Sequence, residues 1–361
     1  MDKKIFHCFY YDLDIGALSP VKDSIFDYLK DYSALYLDCG RSSLRAIGSL
    51  FGEGEILVPD YTCASVIQSF IPPLKQKYYH INDDFTIDFD SLESLITPEV
   101  KLICVSQFCG KLLPKDQVKR LIEIRNKYGI KIIEDTTHSI LSAPLTFGDY
   151  GACALYKWFP SSSGGVCYSR EQLDSSIYNN LRERQVPKRI YSMLMHSMYN
   201  KGYMEYSDKI DEFFDSFDPE LTQASDTETT YAKMPALDEF ILKCCSVSEN
   251  QKIRKENART LEKEINFDIV KPVFKELTDD DCLLAYPLYT KNRDSLREYL
   301  KAHDIFVPVY WNMDKLTQIN NVKETVERSR NIIVIPVNQQ YDKVDMSRVA
   351  RVINQWQKEQ I

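Results

Sequence analysis

KIIEDTTH, residues 131–138, is an apolar run that ends on two acids and, three residues beyond the second, a histidine. Its β-branched start reads as a strand. Glu134 and Asp135 then stand at the strand's carboxyl end, where α/β proteins assemble their sites. An aspartate there can hold a cation or a protonated ring nitrogen, or simply cap the turn that follows. Downstream, ACALYKW (152–158) and GGVCYS (164–169) read as two more strands joined by the small-residue turn Pro160–Ser163. Lys157 therefore falls inside an apolar, strand-like run. A buried amine there is costly unless it has a partner or a task. A lysine of depressed pKa can bond to an aldehyde carbon, whereas a snorkelling lysine would reach solvent from the same place.

Working outward, the first half of the chain alternates strand-like and helix-like segments, the pattern of an α/β domain with a mainly parallel sheet. Ser19 and Pro20 read as the N-cap and first residue of a helix running through Leu29. A second helix follows Gly40, with Leu44, Ile47 and Phe51 on one face. EILVPDY (55–61) and VKLICVSQF (100–108) read as strands, with a helix at DSLESLI (90–96) between them. Pro114 opens a helix bearing Val118, Leu121, Ile122 and Arg125 on one side, and Gly129 closes it. From about Arg170 to Thr230 the strand rhythm stops, giving an irregular or helical stretch (171–230) suited to core, interface or lid. A long helix is expected from Ala236 to about Glu264. CLLAYPLY, IFVPVYW, NIIVIP and helices near Leu296–Leu300 and Val349–Trp356 complete a smaller α+β part. The expected division is 1–240 and 241–361.

The 361 residues carry a formal net charge of −8, with acids and bases mixed along the chain. That argues against a nucleic-acid binder, which would show a basic face. The N-terminal segment has no long apolar core, and no stretch approaches the length of a membrane span, so a cytoplasmic protein without membrane partners is expected. Of the ten cysteines, Cys104, Cys153 and Cys167 lie in apolar runs. With no CxxC pair and no zinc spacing, the reading is buried free thiols and no metal.

Three weaker features complete the set. Cys39-Gly40-Arg41-Ser42-Ser43 precedes a helix, and small residues at a helix start expose N–H groups that suit a phosphate, or only an ordinary N-cap. Ser161-Ser162-Ser163-Gly164-Gly165 can donate to an anion or form a plain turn. Lys233-Met234 stands before the long helix.

The order of these elements, a phosphate-type helix start, an Asp at a strand end and then a Lys, resembles fold-type-I pyridoxal-phosphate enzymes. The stretch from about Leu37 to Arg170 resembles the DegT/StrS sugar aminotransferases. CGRSSL (39–44) matches the family's SGT-A-A-L, VPDYT (58–62) its VPS-T, Cys109-Gly110 its YG, and IIEDTTH (132–138) its VIEDAAQ/H. Lys157 keeps the family's distance to the Gly-Gly pair 164–165, and TYAKMPALDEF (230–240) is similar to NYRMSELQAAL. The resemblance implies a large α/β domain holding pyridoxal 5'-phosphate and a smaller C-terminal domain. It implies Lys157 as the catalytic lysine that holds the cofactor and Asp135 on its ring nitrogen. His138 would lie beside the ring hydroxyl, with Gly40, Arg41 and Ser42 at the phosphate and Tyr61 and Cys63 near the ring. Tyr231 and Lys233 would reach a neighbouring subunit's site, making a homodimer. The chain departs from the family at Ala152 (usually Ser), at Ser163 (the acid of GEGG) and at Cys63 (an aromatic).

The implied activity is transfer of an amino group from glutamate or glutamine to a nucleotide-linked keto-sugar, in cell-surface polysaccharide or amino-sugar biosynthesis. The alternatives are a pyridoxal-phosphate sugar dehydratase or lyase, and a non-catalytic member that binds a sugar or a partner.

Overall fold

KIIED does form a strand, and the residue after it begins a turn. The computed structural model describes residues 4–6, 9–11, 18–205, 207, 231–316 and 323–360. Two compact units lie within it: a first unit from residues 1–7, 51–149 and 249–361, and a second from 8–50 and 150–248. In chain order the strands are β1 (Ser33–Leu37), β2 (Gly54–Pro59), β3 (Leu74–Tyr79), β4 (Val100–Ser106), β5 (Lys131–Asp135), β6 (Tyr150–Ala154), β7 (Gly165–Ser169), β8 (Lys271–Pro272), β9 (Ala285–Tyr289) and β10 (Ile332–Pro336).

In the first unit β3, β2, β4 and β5 pair in that order, all parallel. Ile56–Val58, Leu102–Val105 and Ile132–Ile133 are almost wholly buried, as strands covered on both faces must be. The helix Lys115–Tyr128 connects β4 to β5, follows Pro114 and ends at Gly129, whose φ of 67° is the left-handed cap that glycine allows. It buries Leu121 and Ile124, while Val118 and Ile122 pack at the margin of the core. β8, β9 and β10 form a separate antiparallel sheet. Leu288, Val334 and Ile353 join Leu57, Ile103 and Ile132 in one hydrophobic core.

In the second unit β7 pairs antiparallel with both β1 and β6. The helix Gly40–Gly48 packs on these strands with every residue buried. The approach is close enough to require glycine. A Cβ on Gly165 would lie 2.3 Å from the Cys39 carbonyl, and one on Gly40 2.9 Å from the Ala154 Cβ.

Several expectations change. The first helix is Ile25–Tyr28, not a helix from Pro20. Ser24 and Asp27 form a reciprocal capping box, a stronger start signal than Ser19-Pro20. The strand expected over 152–158 stops at Ala154, and Leu155–Lys157 is a 3-10 turn. Leu155 N–H still bonds to Gly164, but the N–H groups of Trp158 and Phe159 turn back to the Leu155 carbonyl at 2.9 and 3.1 Å. The long helix breaks between Lys243 and Val247. There Asp23 gathers the hydroxyls of Ser246 and Ser248 and its carbonyl takes the Val247 N–H. IFVPVYW forms no strand beyond a single bridge of Ile305 to Ile5. In the 171–230 stretch, helices cover Ser176–Asn179 and Pro187–Asn200; residues 206 and 208–230 lie outside the described residues. Among the described residues no helix is long and apolar enough to cross a membrane, and the nine described cysteines are free thiols.

Candidate functional site

The second unit carries Gly40, Arg41, Ser42 and Lys157. Gly40 begins its helix behind Cys39, whose side chain makes no capping hydrogen bond. Because Gly40 abuts Ala154, the helix N-terminus lies against the end of β6, the strand from which the Lys157 turn departs. Lys157 is half-buried between the buried Leu155 and Trp158. Ser161 Oγ, in the same turn, is fully buried with no hydrogen-bond partner. Asp38, one residue beyond β1, is fully buried and forms an ion pair of 2.7 Å with Arg184. Burial pushes the Asp38 carboxyl up despite that guanidinium. Burial likewise pushes the Cys39 thiol up to about 11.

These groups suit a phosphate and an aldehyde. A helix start offers N–H donors and the positive end of the dipole. The Ser161 hydroxyl has a bond still to make, and an amine stands on the neighbouring turn.

The first unit carries Asp135, His138, Tyr61 and Cys63. Asp135 closes β5 and one of its carboxylate oxygens accepts the Thr137 N–H at 3.1 Å. It thus caps the turn Thr136–His138, while its acidic group stays at the carboxyl end of a parallel strand. An acid so placed suits a protonated ring nitrogen. His138 accepts the Cys109 N–H at Nδ1, 3.3 Å away, so in the neutral ring Nε2 carries the proton. Cys109 and Gly110 have φ of 51° and 96°, and a Cβ at Gly110 would strike the Cys282 carbonyl at 2.3 Å. The Cys109-Gly110 pair is therefore the bend that delivers a donor to His138.

Tyr61 is buried among Phe85, Phe108 and Trp311, and its hydroxyl donates to the Tyr310 carbonyl. Burial raises that phenol well above its usual range. Cys63 is the N-cap of the helix Ala64–Ser69. The rings stacked on His138 are Tyr310 and Trp311, both with centroids 5.3 Å away. Neither was singled out from sequence, because only tertiary folding returns IFVPVYW to β5. Arg184 and Asp238 were missed for the same reason. Tyr231 is half-buried, and Lys233 bridges Leu37 and Glu183 with its Nζ 4.7 Å from the Tyr178 ring centroid.

Residues 24–153 match the family model described as aminotransferase class I and II, a span that takes in every one of these positions up to His138. Similar solved structures share the fold over 90–99% of this chain. Spr1654 of Streptococcus pneumoniae in its PLP-form, provisionally named a sugar aminotransferase, aligns with a TM-score of 0.71 at 13% identity, over 99% of this chain and 100% of that one. The chain has an aminotransferase fold. A DegT DnrJ EryC1 StrS aminotransferase from Brucella abortus aligns with a TM-score of 0.64 at 16% identity, covering 92% of this chain and 88% of that one. Sugar aminotransferase CalS13 from Micromonospora echinospora aligns with a TM-score of 0.61 at 17% identity, over 90% and 87%. The aminotransferase fold is thus the fold-type-I α/β architecture expected from the order of motifs.

Proposed function

We propose that this chain is a pyridoxal-phosphate-dependent aminotransferase that moves an amino group from glutamate or glutamine to a nucleotide-linked keto-sugar. The observation that carries the reading is local to the second unit. Lys157 leaves the end of β6 in a tight turn, and a helix N-terminus abuts that same strand end. Amine and anion donors are the two grips that an aldehyde bearing a phosphate requires.

In this reading Lys157 Nζ would hold the cofactor's aldehyde carbon, and the Arg41 and Ser42 backbones with Ser161 Oγ would hold its phosphate. Asp135 would keep a proton on the ring nitrogen, and His138 would serve the ring hydroxyl. The cofactor, when bound, supplies an electron-accepting ring that stabilises negative charge on the carbon beside the amine. With the cofactor in place, the free Lys157 amine would take the proton from the donor carbon as a base and would give it to the cofactor's former aldehyde carbon as an acid. A lysine can do both because its free amine and its ammonium differ by that one proton. Tyr231 and Lys233 serve the site of a second copy in a homodimer, and the chain divides functionally into 1–240 and 241–361. The acceptor's role in polysaccharide or amino-sugar biosynthesis belongs to the same proposal.

Purified protein given pyridoxal phosphate should turn yellow, and borohydride should fix the cofactor on the peptide containing Lys157. Lys157→Ala should lose both signals. Glutamate should release its keto acid, which separates transamination from dehydration or elimination. Wild-type protein that takes up no cofactor would sink the reading.

A further inference from the structure

The turn that carries Lys157 has Ser163 where the resembling family has an acid. In this chain a buried acid reaches the turn from elsewhere in the second unit. Asp238 sits in the first turn of the helix Ala236–Lys243 and is fully buried. Its Oδ1 accepts the Ser162 N–H at 2.6 Å and the Ser162 hydroxyl at 2.9 Å. Its Oδ2 accepts the Ser163 hydroxyl at 2.7 Å, and the Ser162 hydroxyl lies 3.0 Å from it.

The turn is fixed at its base as well. Leu155 N–H bonds to Gly164 at 2.9 Å, and Gly164 N–H bonds to the Asp38 carbonyl at 2.6 Å. Trp158 and Phe159 inside it are wholly buried. On the other flank the Arg189 guanidinium lies 5.4 Å from the ring centroid of Tyr156, the neighbour of Lys157. Lys157 is thus a half-buried residue in a short loop held at its base and at its far side. A carboxylate without solvent is retained only where its bonds are satisfied. Here they are spent on two serines of that loop, at a helix start that favours negative charge.

We propose that Asp238 is a positioning residue: through Ser162 and Ser163 it fixes the turn from which Lys157 presents its amine. The assignment deepens the function proposed above and rests on it only where cofactor is involved. Two measurements on the full chain keep the two ideas apart.

The first needs no cofactor. After removal of any bound aldehyde with hydroxylamine, Lys157 is methylated with formaldehyde and cyanoborohydride and followed by peptide mass. Asp238→Ala should change the labelling rate of Lys157 roughly tenfold, the scale of one lost charge-assisted hydrogen bond. The rates at other lysines should not move. Asp238→Asn keeps an acceptor for Ser162, and its amide N–H can donate to the Ser163 hydroxyl oxygen in place of the bond that hydroxyl gave, so it should restore the wild-type rate. In the second, pyridoxal phosphate is titrated into each variant. Asp238→Ala should bind it about tenfold more weakly, with Asp238→Asn close to wild type.

A folded Asp238→Ala protein that is merely less stable, with Lys157 labelled at the wild-type rate, overturns the proposal. If that variant does not fold, Ser163→Ala, which deletes one of the bonds, decides. A wild-type labelling rate in Ser163→Ala overturns the proposal, and a shifted rate supports it. Failure of wild-type protein to bind pyridoxal phosphate while Asp238→Ala still shifts the labelling would overturn the functional reading alone.

Discussion

The proposed function gives the Asp135 carboxylate a second task beside the turn it caps, and a single substitution separates the two. Its acceptor oxygen caps the Thr136–His138 turn, a task asparagine performs equally well. Asp135→Asn should therefore fold with an unchanged denaturant midpoint and still bind cofactor. On the proposed role, the ring nitrogen would then lack the negative charge that keeps it protonated. The half-reaction with glutamate, followed by loss of the yellow colour, should slow by about a hundredfold or more. Near-normal turnover would remove Asp135 from the ring. The position of Asp135 was legible because a strand ending on an acid is a local pattern. Asp238 was not legible, since nothing in PALDEF says that its aspartate will meet serines 75 and 76 positions earlier in the chain.

At the scale of elements, Glu134 shows how strand alternation divides two adjacent acids. Glu134 is buried and accepts the N–H groups of Thr146, Phe147 and Gly148 at 2.6–2.8 Å, and the Thr146 hydroxyl at 2.9 Å. It staples the loop before β6 onto β5. Glu134→Ala would strand three backbone donors, each costing about 1–3 kcal/mol when left unpaired in the interior. A loss of at least about 3 kcal/mol in urea unfolding is expected, against a small loss for Glu134→Gln. An unchanged midpoint in the alanine variant would contradict the staple. The same alternation explains what the sequence revealed and what it hid. Buried strands such as LICV and helix ends such as Gly129 announce themselves through composition. The stop of β6 at Ala154 does not, because ALYKWF stays apolar while the ladder ends and the backbone folds back on Leu155.

Across the whole molecule, burial sets the response to alkali. It pushes the thiols of Cys39 and Cys282 up to about 11, those of Cys167 and Cys245 up to about 12, and the Tyr11 phenol up to about 12. In the unfolded chain these groups lose their protons near 9 for thiols and 10 for phenols. Between roughly pH 9 and 12 the native state thus holds protons that the unfolded state has released, so stability falls as pH rises. Ionisation of the buried tyrosines, Tyr11, Tyr61 and Tyr79 among them, should lag the usual titration and appear together with the loss of near-ultraviolet circular dichroism. A smooth titration near pH 10 with the fold intact would contradict this.

The contact between Gly165 and Cys39 has a consequence for recognising kin. The serine turn, the residue at 163 and the ring-side residue at 63 are side chains that a lineage can exchange while another group takes over their task, as Asp238 does for the turn. No exchange is open at 165, where even a methyl group would collide with backbone. A search for remote cousins of this chain does better to anchor on that glycine and count back to the lysine than to score the polar residues between them.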